Sequence, residues 1–289
     1  MDRCELKPLA WLSGPGARSW LRARQHCPVT LELSFDLNRT TELAHVCHDG
    51  VRRLANDTLI PWDVVREVAQ SEHGCYTWDG HRAEPIAAYS ETLQRYCSLM
   101  ATDGAPTLLI AGFPMHRIKG IDPWQDAAVK WRAVGPIRGR VLDTCTGLGY
   151  TAIQATRTAR AVTTVELDPT VLELARLNPW SADLFEAANI EQLIGDVARV
   201  VTEFEPASFQ CIVHDPPTVE LSGELYGAEF YRALHRVLKP GGRLLHYVGD
   251  PTSRHGARVL RGVMRRLQEA GFRAARVLPR AHSVVARRT

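Results

Sequence analysis

The chain contains no apolar run approaching the ~20 residues that a bilayer-spanning helix requires. It also lacks HExxH, a paired CxxC and a nucleophile elbow, so its motifs give no support for metal-assisted hydrolysis or acyl-enzyme chemistry, and no metal is expected. Its seven cysteines are odd in number and lack metal-ligand spacing, which fits a reducing cytoplasm. Cys145 and Cys211 fall in turn or strand contexts and read as packing residues. Charge of one sign is scarce: the net value is +3, a smaller excess than nucleic-acid proteins often carry. There is no internal repeat and no low-complexity stretch. The opening MDRCELKPLAWLSGPG bears early charge without a clean apolar core, which argues against a signal peptide and for a cytoplasmic protein with no membrane partner.

What remains is ordinary soluble composition, 45% hydrophobic and 23% charged, over 289 residues, enough for one large domain or a domain with a smaller annex. Residues 1–114 read as an N-terminal arm and a small β-rich region. Residues 1–27 form a loose or helical arm carrying Trp11 and Trp20, and TLELSFDL alternates as a strand does. WDG at 78–80 is a hairpin-like turn, and Pro61 to Ser71 reads as a short helix. Residues 115–289 alternate in character. A helix that begins at Asp122-Pro123-Trp124 and runs to Val134 precedes strands at 140–144, 161–166, 190–194, 209–214 and 243–248, with helices between them. A helix at 255–270 and two terminal strands complete the chain. Such alternation predicts an α/β, doubly wound Rossmann-like parallel sheet, with ligands at the carboxyl ends of its strands.

The run DTCTGLG, Asp143 to Gly149, sits at one such end. Gly147 and Gly149 let a ligand approach the backbone where no Cβ obstructs it, and the following helix offers unpaired N–H groups. A carboxylate at Asp143 suits a cationic or hydroxyl-bearing ligand better than a pyrophosphate, which points to S-adenosylmethionine (SAM). Glu166 ends VTTVEL about twenty positions on, the spacing of an acid that accepts ribose hydroxyls. Asp196 in IGDV can accept from the adenine amine, and Asn189 stands just before that strand. HDPPT, His214 to Thr218, closes an apolar strand with a stiff, donor-poor turn that includes Asp215. Tyr226 lies on a loop facing the same rim, where a ring can cover a sulfonium, and Ser253 follows the strand ending LLHYVGDPTS. The arginines at 258, 261 and 265 share one helical face and read as a solvated surface, with an RNA-contacting face as the alternative.

Taken in order, DTCTGLGYTA, VELDP, IGDV, HDPPT and VLKPGGRLLHYVGDP resemble the class I SAM-dependent methyltransferases over residues 115–289, most of all a group of predicted, mostly archaeal ones that share LELARLNPW and GELY. Cys145 departs from the general pattern, which prefers glycine. A small β domain ahead of such a fold is also similar to polyamine synthases. The resemblance implies SAM at Asp143, Gly147, Gly149, Glu166, Asp196 and His214. It leaves three reactions open, because methyl transfer, attack on the longer arm and ring closure within SAM all use one sulfonium. In Asn189, Tyr226 and Ser253 the chain looks similar to azetidine-2-carboxylate synthases. That likeness implies cyclisation of SAM with release of 5′-methylthioadenosine, with Asn189, Tyr226, Ser253 and Asp215 as the catalytic set and the Trp11–Trp20 arm as a lid. The alternatives are a methyltransferase for an amino or ring nitrogen of a small molecule or RNA, and a non-catalytic SAM-binding subunit.

Overall fold

The computed structural model describes residues 9–219 and 221–289. Contacts divide the chain into two units: residues up to Pro123 together with Glu173–Trp180, and Trp124–Leu172 together with Ser181–Thr289.

The first unit is mostly β. An antiparallel sheet joins Ala10–Ser13, Cys75–Trp78 and Ala83–Pro85, and a four-stranded meander runs from Val29–Leu33 to Leu59–Pro61. A third sheet joins Ala87–Ser90, Arg95–Met100, Thr107–Ile110 and Phe113–Pro114. Two helices, Gly14–Ala23 and Trp62–Ala69, cover this framework, the first capped by Ser13, whose hydroxyl accepts from the Gly16 N–H. Trp20, Phe35, Val51, Ile60 and Trp78 form its core. The expected lid is therefore corrected at Trp20: its ring is buried against Phe35, with centroids 5.1 Å apart, and belongs to the core. The Trp11 indole donates to the Leu177 carbonyl at 2.7 Å and the Trp180 indole to that of Leu37 at 2.8 Å, which ties 173–180 into this unit. The part of the arm at residues 1–8 lies outside the described residues.

The second unit is the α/β domain. Its helices are α1 (Pro123–Val134), α2 (Tyr150–Thr156), α3 (Pro169–Arg176, whose residues from Glu173 on group with the first unit), α4 (Ala182–Glu186), α5 (Val197–Glu203), α6 (Ala228–Val237) and α7 (Arg254–Glu269). Its strands are β1 (Arg140–Asp143), β2 (Ala161–Glu166), β3 (Ile190–Ile194), β4 (Phe209–His214), β5 (Leu238–Tyr247), β6 (Phe272–Leu278) and β7 (Ser283–Arg288). They form one sheet in the order β3-β2-β1-β4-β5-β7-β6. Five strands are parallel, and the strand order reverses between β1 and β4, so the ligand edge falls there. The fully parallel expectation fails at β7, which runs antiparallel to both β5 and β6. Only four residues link β6 to β7, too few for a crossover, so the pair closes as a hairpin. β1 and β4 are buried along nearly their whole length, which is why both read as apolar runs without alternation. Leu142, Phe209, Ile212, Tyr231, Leu244, Val263 and Phe272 anchor the core. On α7, Val263 and Leu267 face inward while Arg258, Arg261 and Arg265 are exposed. Among the described residues no helix is long and apolar enough to cross a membrane.

Candidate active site

Asp143 ends β1 with its side chain buried. One carboxylate oxygen accepts from the Thr151 hydroxyl at 3.0 Å and the other from that of Thr164 at 2.7 Å. The Thr146 hydroxyl lies 2.6 Å from that of Thr164, so the acid is the hub of a threonine cluster beneath the turn. Burial pushes its carboxyl up to about 7, with the nearby Asp215 and Glu166 acting in the same direction and the two threonines opposing. Gly147 and Gly149 adopt φ of +53° and +77°, in the left-handed region that a side chain disfavours. Glu166 ends β2 and reaches back to the turn: one oxygen accepts from the Gly147 N–H at 2.8 Å and the other from the Asp168 N–H at 3.1 Å. Burial raises its carboxyl above the ordinary range. Asp196 follows β3 and caps α5 by accepting from the Ala198 N–H at 2.9 Å.

At the end of β4, His214 is fully buried. Its Nε2 lies 3.0 Å from the Leu225 carbonyl, which can only accept, so that nitrogen carries the proton. Nδ1 then accepts from the Thr144 hydroxyl at 2.7 Å. Burial pulls the imidazole down to about 3, so it is neutral under ordinary conditions. Asp215 comes next, accepting from Lys130 Nζ of α1 at 2.6 Å. The same ammonium lies 2.8 Å from Asp126 and 4.4 Å from the centroid of the Tyr247 ring. The Tyr226 hydroxyl donates to the Pro217 carbonyl at 2.9 Å, and its ring lies 5.2 Å from that of His246, the residue paired with His214 across β4 and β5. His246 in turn meets the Tyr231 hydroxyl at 2.7 Å.

The carboxyl edge of the sheet thus carries Asp143, Gly147, Gly149, Glu166, Asp196, Asp215 and Tyr226. Three expected residues do other work. Asn189 stands at the amino end of β3, roughly 16 Å from the ligand edge at ~3.3 Å per strand residue, and its amide points to the carbonyls of Thr156 and Ala159. His214 has both ring nitrogens engaged and leaves neither for a ligand. Ser253 caps α7, accepting from the Gly256 N–H at 3.0 Å and donating to the Asp250 carbonyl at 2.9 Å. Ser253→Ala should therefore cost ~1 kcal/mol of stability, read by denaturant titration, and leave turnover within about twofold. A far larger loss of turnover at unchanged stability would give Ser253 a chemical role instead.

Lys130 and its partner Asp126 are the residues that motif reading missed. The signal was an acid and a base four apart on α1, next to the apolar Ala127 and Trp131 on the face that turns inward. The thiols of Cys75, Cys145 and Cys211 are all pushed up by burial, that of Cys211 to about 12, in line with packing roles.

The raised Asp143 carboxyl has a pH consequence. Its folded value of about 7 exceeds the unfolded one, so the stability it contributes is complete below about pH 4 and is lost as pH rises to about 7. A cationic ligand favours the ionised form. Its binding should therefore release a proton and tighten with pH up to about tenfold per unit below pH 7. Calorimetry in buffers of different ionisation enthalpy checks this, and Asp143→Asn should abolish the proton release.

Comparison with known proteins agrees with this architecture. A family profile for a methyltransferase domain matches residues 141–242. Over 259 residues the chain is 40% identical to the uncharacterized protein MJ1233 of Methanocaldococcus jannaschii, covering 88% of each. It is 33% identical over 148 residues to polyamine aminopropyltransferase 2 of Streptomyces coelicolor, spanning 48% of this chain and about a quarter (26%) of that protein. Among solved structures, a spermidine synthase in complex with the transition state analogue AdoDATO superposes with a TM-score of 0.61 at 19% identity, covering 73% of this chain and 78% of the other. The spermidine synthase from Thermotoga maritima gives 0.57 at 20% identity, covering 70% and 71%. Both likenesses are of fold.

Proposed function

Because the chain belongs to the family of Methanocaldococcus jannaschii MJ1233 and carries a methyltransferase-fold domain, we propose that it is an enzyme that consumes SAM by attack on the longer arm of the sulfonium, cyclising that arm to azetidine-2-carboxylate and releasing 5′-methylthioadenosine. The observation that carries this reading is the gathering of carboxylates, Asp143, Glu166, Asp196 and Asp215, around one sheet edge, opposed there by the Lys130 ammonium. An edge with that excess of negative charge suits a ligand whose reacting centre is a cation.

The residues fit the ligand. Each oxygen of Glu166 accepts one backbone N–H and keeps a further lone pair for a ribose hydroxyl. Leu167 beside it is 48% exposed and offers apolar surface to a flat ring. Gly147 brings bare backbone to the same place. When bound, SAM supplies an electrophilic carbon and a neutral thioether leaving group. In ring closure the α-amine nitrogen bonds to the γ-carbon, the C–S bond breaks, and the amine proton passes to solvent. The chain's residues hold the arm and exclude water, with Asp215 and the Tyr226 ring nearest the reacting atoms.

The choice of the longer arm takes its support from the aminopropyltransferase relative, and the choice of internal nucleophile from the resemblance at Tyr226. Methyl transfer to an amino or ring nitrogen is the second reading, favoured by the profile match. Purified protein given SAM as sole substrate should form methylthioadenosine and azetidine-2-carboxylate in equal amounts, measured by mass spectrometry. S-adenosylhomocysteine formed only when an acceptor is added would replace the cyclising reading with methyl transfer. Methylthioadenosine formed only from decarboxylated SAM and an amine would replace it with aminopropyl transfer. Tight SAM binding without turnover under every condition would mean a non-catalytic subunit.

A further inference from the structure

Asp126 and Lys130 lie one helical turn apart on α1, and both are withdrawn from solvent, at 2% and 5% exposure. The Lys130 ammonium is held between two carboxylates, Asp126 at 2.8 Å and Asp215 at 2.6 Å, with the Tyr247 ring beneath it at 4.4 Å. Asp215 follows β4 and Tyr247 ends the neighbouring β5, so the ammonium meets groups from the carboxyl ends of these two adjacent strands, the first of them at the switch point. Burial alone would lower the lysine, but Asp215 and Asp126 more than offset that and hold it above its ordinary value. Two carboxylates and an aromatic face are the chemistry that recognises an alkylammonium ion. Here the chain fills that cage itself.

We propose that Lys130 is a specificity-determining residue that occupies the subsite for a cationic amine acceptor, shutting out external amines and leaving the ligand's own arm as the nucleophile. The inference rests on the proposed attack on the longer arm of SAM. A second ammonium beside Lys130 meets like charge and finds the seat between Asp126 and Asp215 already filled, so a diamine has no place to anchor there. With the lysine side chain removed, the two carboxylates stay behind and favour any ammonium small enough to enter. A diamine held there by one ammonium can attack the arm with its other nitrogen in the neutral form, that nitrogen's ammonium proton having gone to buffer: the nitrogen bonds to the carbon, the C–S bond breaks, methylthioadenosine leaves, and the new secondary ammonium gives up its surplus proton to buffer.

The experiment compares the wild type, Lys130→Ala and Lys130→Arg, using methylammonium and 1,4-diaminobutane as probes. Without SAM, the unfolding midpoint of Lys130→Ala should rise saturably with methylammonium, while the wild type and Lys130→Arg respond only as they do to tetramethylammonium at equal ionic strength. With SAM and the diamine, Lys130→Ala should form N-alkylated diamine at least about tenfold faster than the wild type. If Lys130→Ala does not fold alone, Lys130→Met, which refills the stem volume, takes its place. Recovery of either variant only when refolded with methylammonium supports the cage. A variant that gains neither midpoint nor product from amines overturns the proposal, as does a wild type that alkylates the diamine equally fast. The arm without SAM reads the cage alone. Failure of the wild type to release methylthioadenosine from SAM therefore sinks the cyclising reading and leaves that arm standing.

Discussion

Asp215→Asn should lower turnover by roughly 10²–10³-fold while the protein stays folded. The amide keeps the shape of the carboxylate and an oxygen for Lys130, which also retains Asp126 at 2.8 Å. The stability loss should therefore stay near ~1–2 kcal/mol, below the 3–5 kcal/mol that follows when a buried charge loses its last partner. What disappears is negative charge at the reacting edge. One Asp215 oxygen is engaged by Lys130, and the side chain keeps 17% exposure at the place where the attacking amine is expected. Positive charge leaves sulfur and develops on the attacking nitrogen in the transition state, so a carboxylate beside that nitrogen acts there more than on the bound ligand, and kcat should fall much further than SAM affinity. Methylthioadenosine release measured across SAM concentrations separates the two. Equal losses in both would reduce Asp215 to a simple binding group.

Gly149→Val should have the largest effect on stability. Gly149 opens α2 at φ +77°, where a β-branched residue is strained. A Cβ there would lie 2.7 Å from one Leu184 methyl carbon and 2.9 Å from the other. Leu184 is 1% exposed, so it has no room to retreat. Strain and overpacking together should cost ~3 kcal/mol and lower the unfolding midpoint by about 10 °C. The substitution also displaces the turn that presents Gly147, so SAM affinity should fall with it. An unchanged midpoint would mean that the turn tolerates a side chain and that the glycine is not required by geometry.

The periodic elements were readable because each carried a local signal. β1 and β4 are apolar runs bounded by turn residues, and α1 announces itself with Asp122-Pro123. The acids at strand ends followed from topology, since every parallel strand delivers its last residue to one edge. What escaped depends on partners distant in the chain. Lys130 meets Asp215 across 85 positions, and no local pattern marks that meeting. Ser253 and His214 were misread for a related reason: a polar residue near a ligand edge looks the same whether it faces the ligand or caps a helix or braces a turn. Only the hydrogen-bond partners tell these apart, the Gly256 N–H for Ser253 and the Thr144 hydroxyl and Leu225 carbonyl for His214. Asn189 failed by position, since a residue before a parallel strand is a whole strand length from the edge where it ends.

His214 bonds to two pieces that lie far apart in the chain. Thr144 belongs to the glycine turn, and Leu225 to the short turn Gly223–Tyr226 that carries the tyrosine over the edge. A neutral ring with one donor and one acceptor is a directional rivet, and with its imidazole pulled down to about 3 it does not come undone by protonation in mildly acidic medium. The floor of the cradle and its roof therefore form a single mechanical part. Displacing either turn strains the bond that holds the ring to the other.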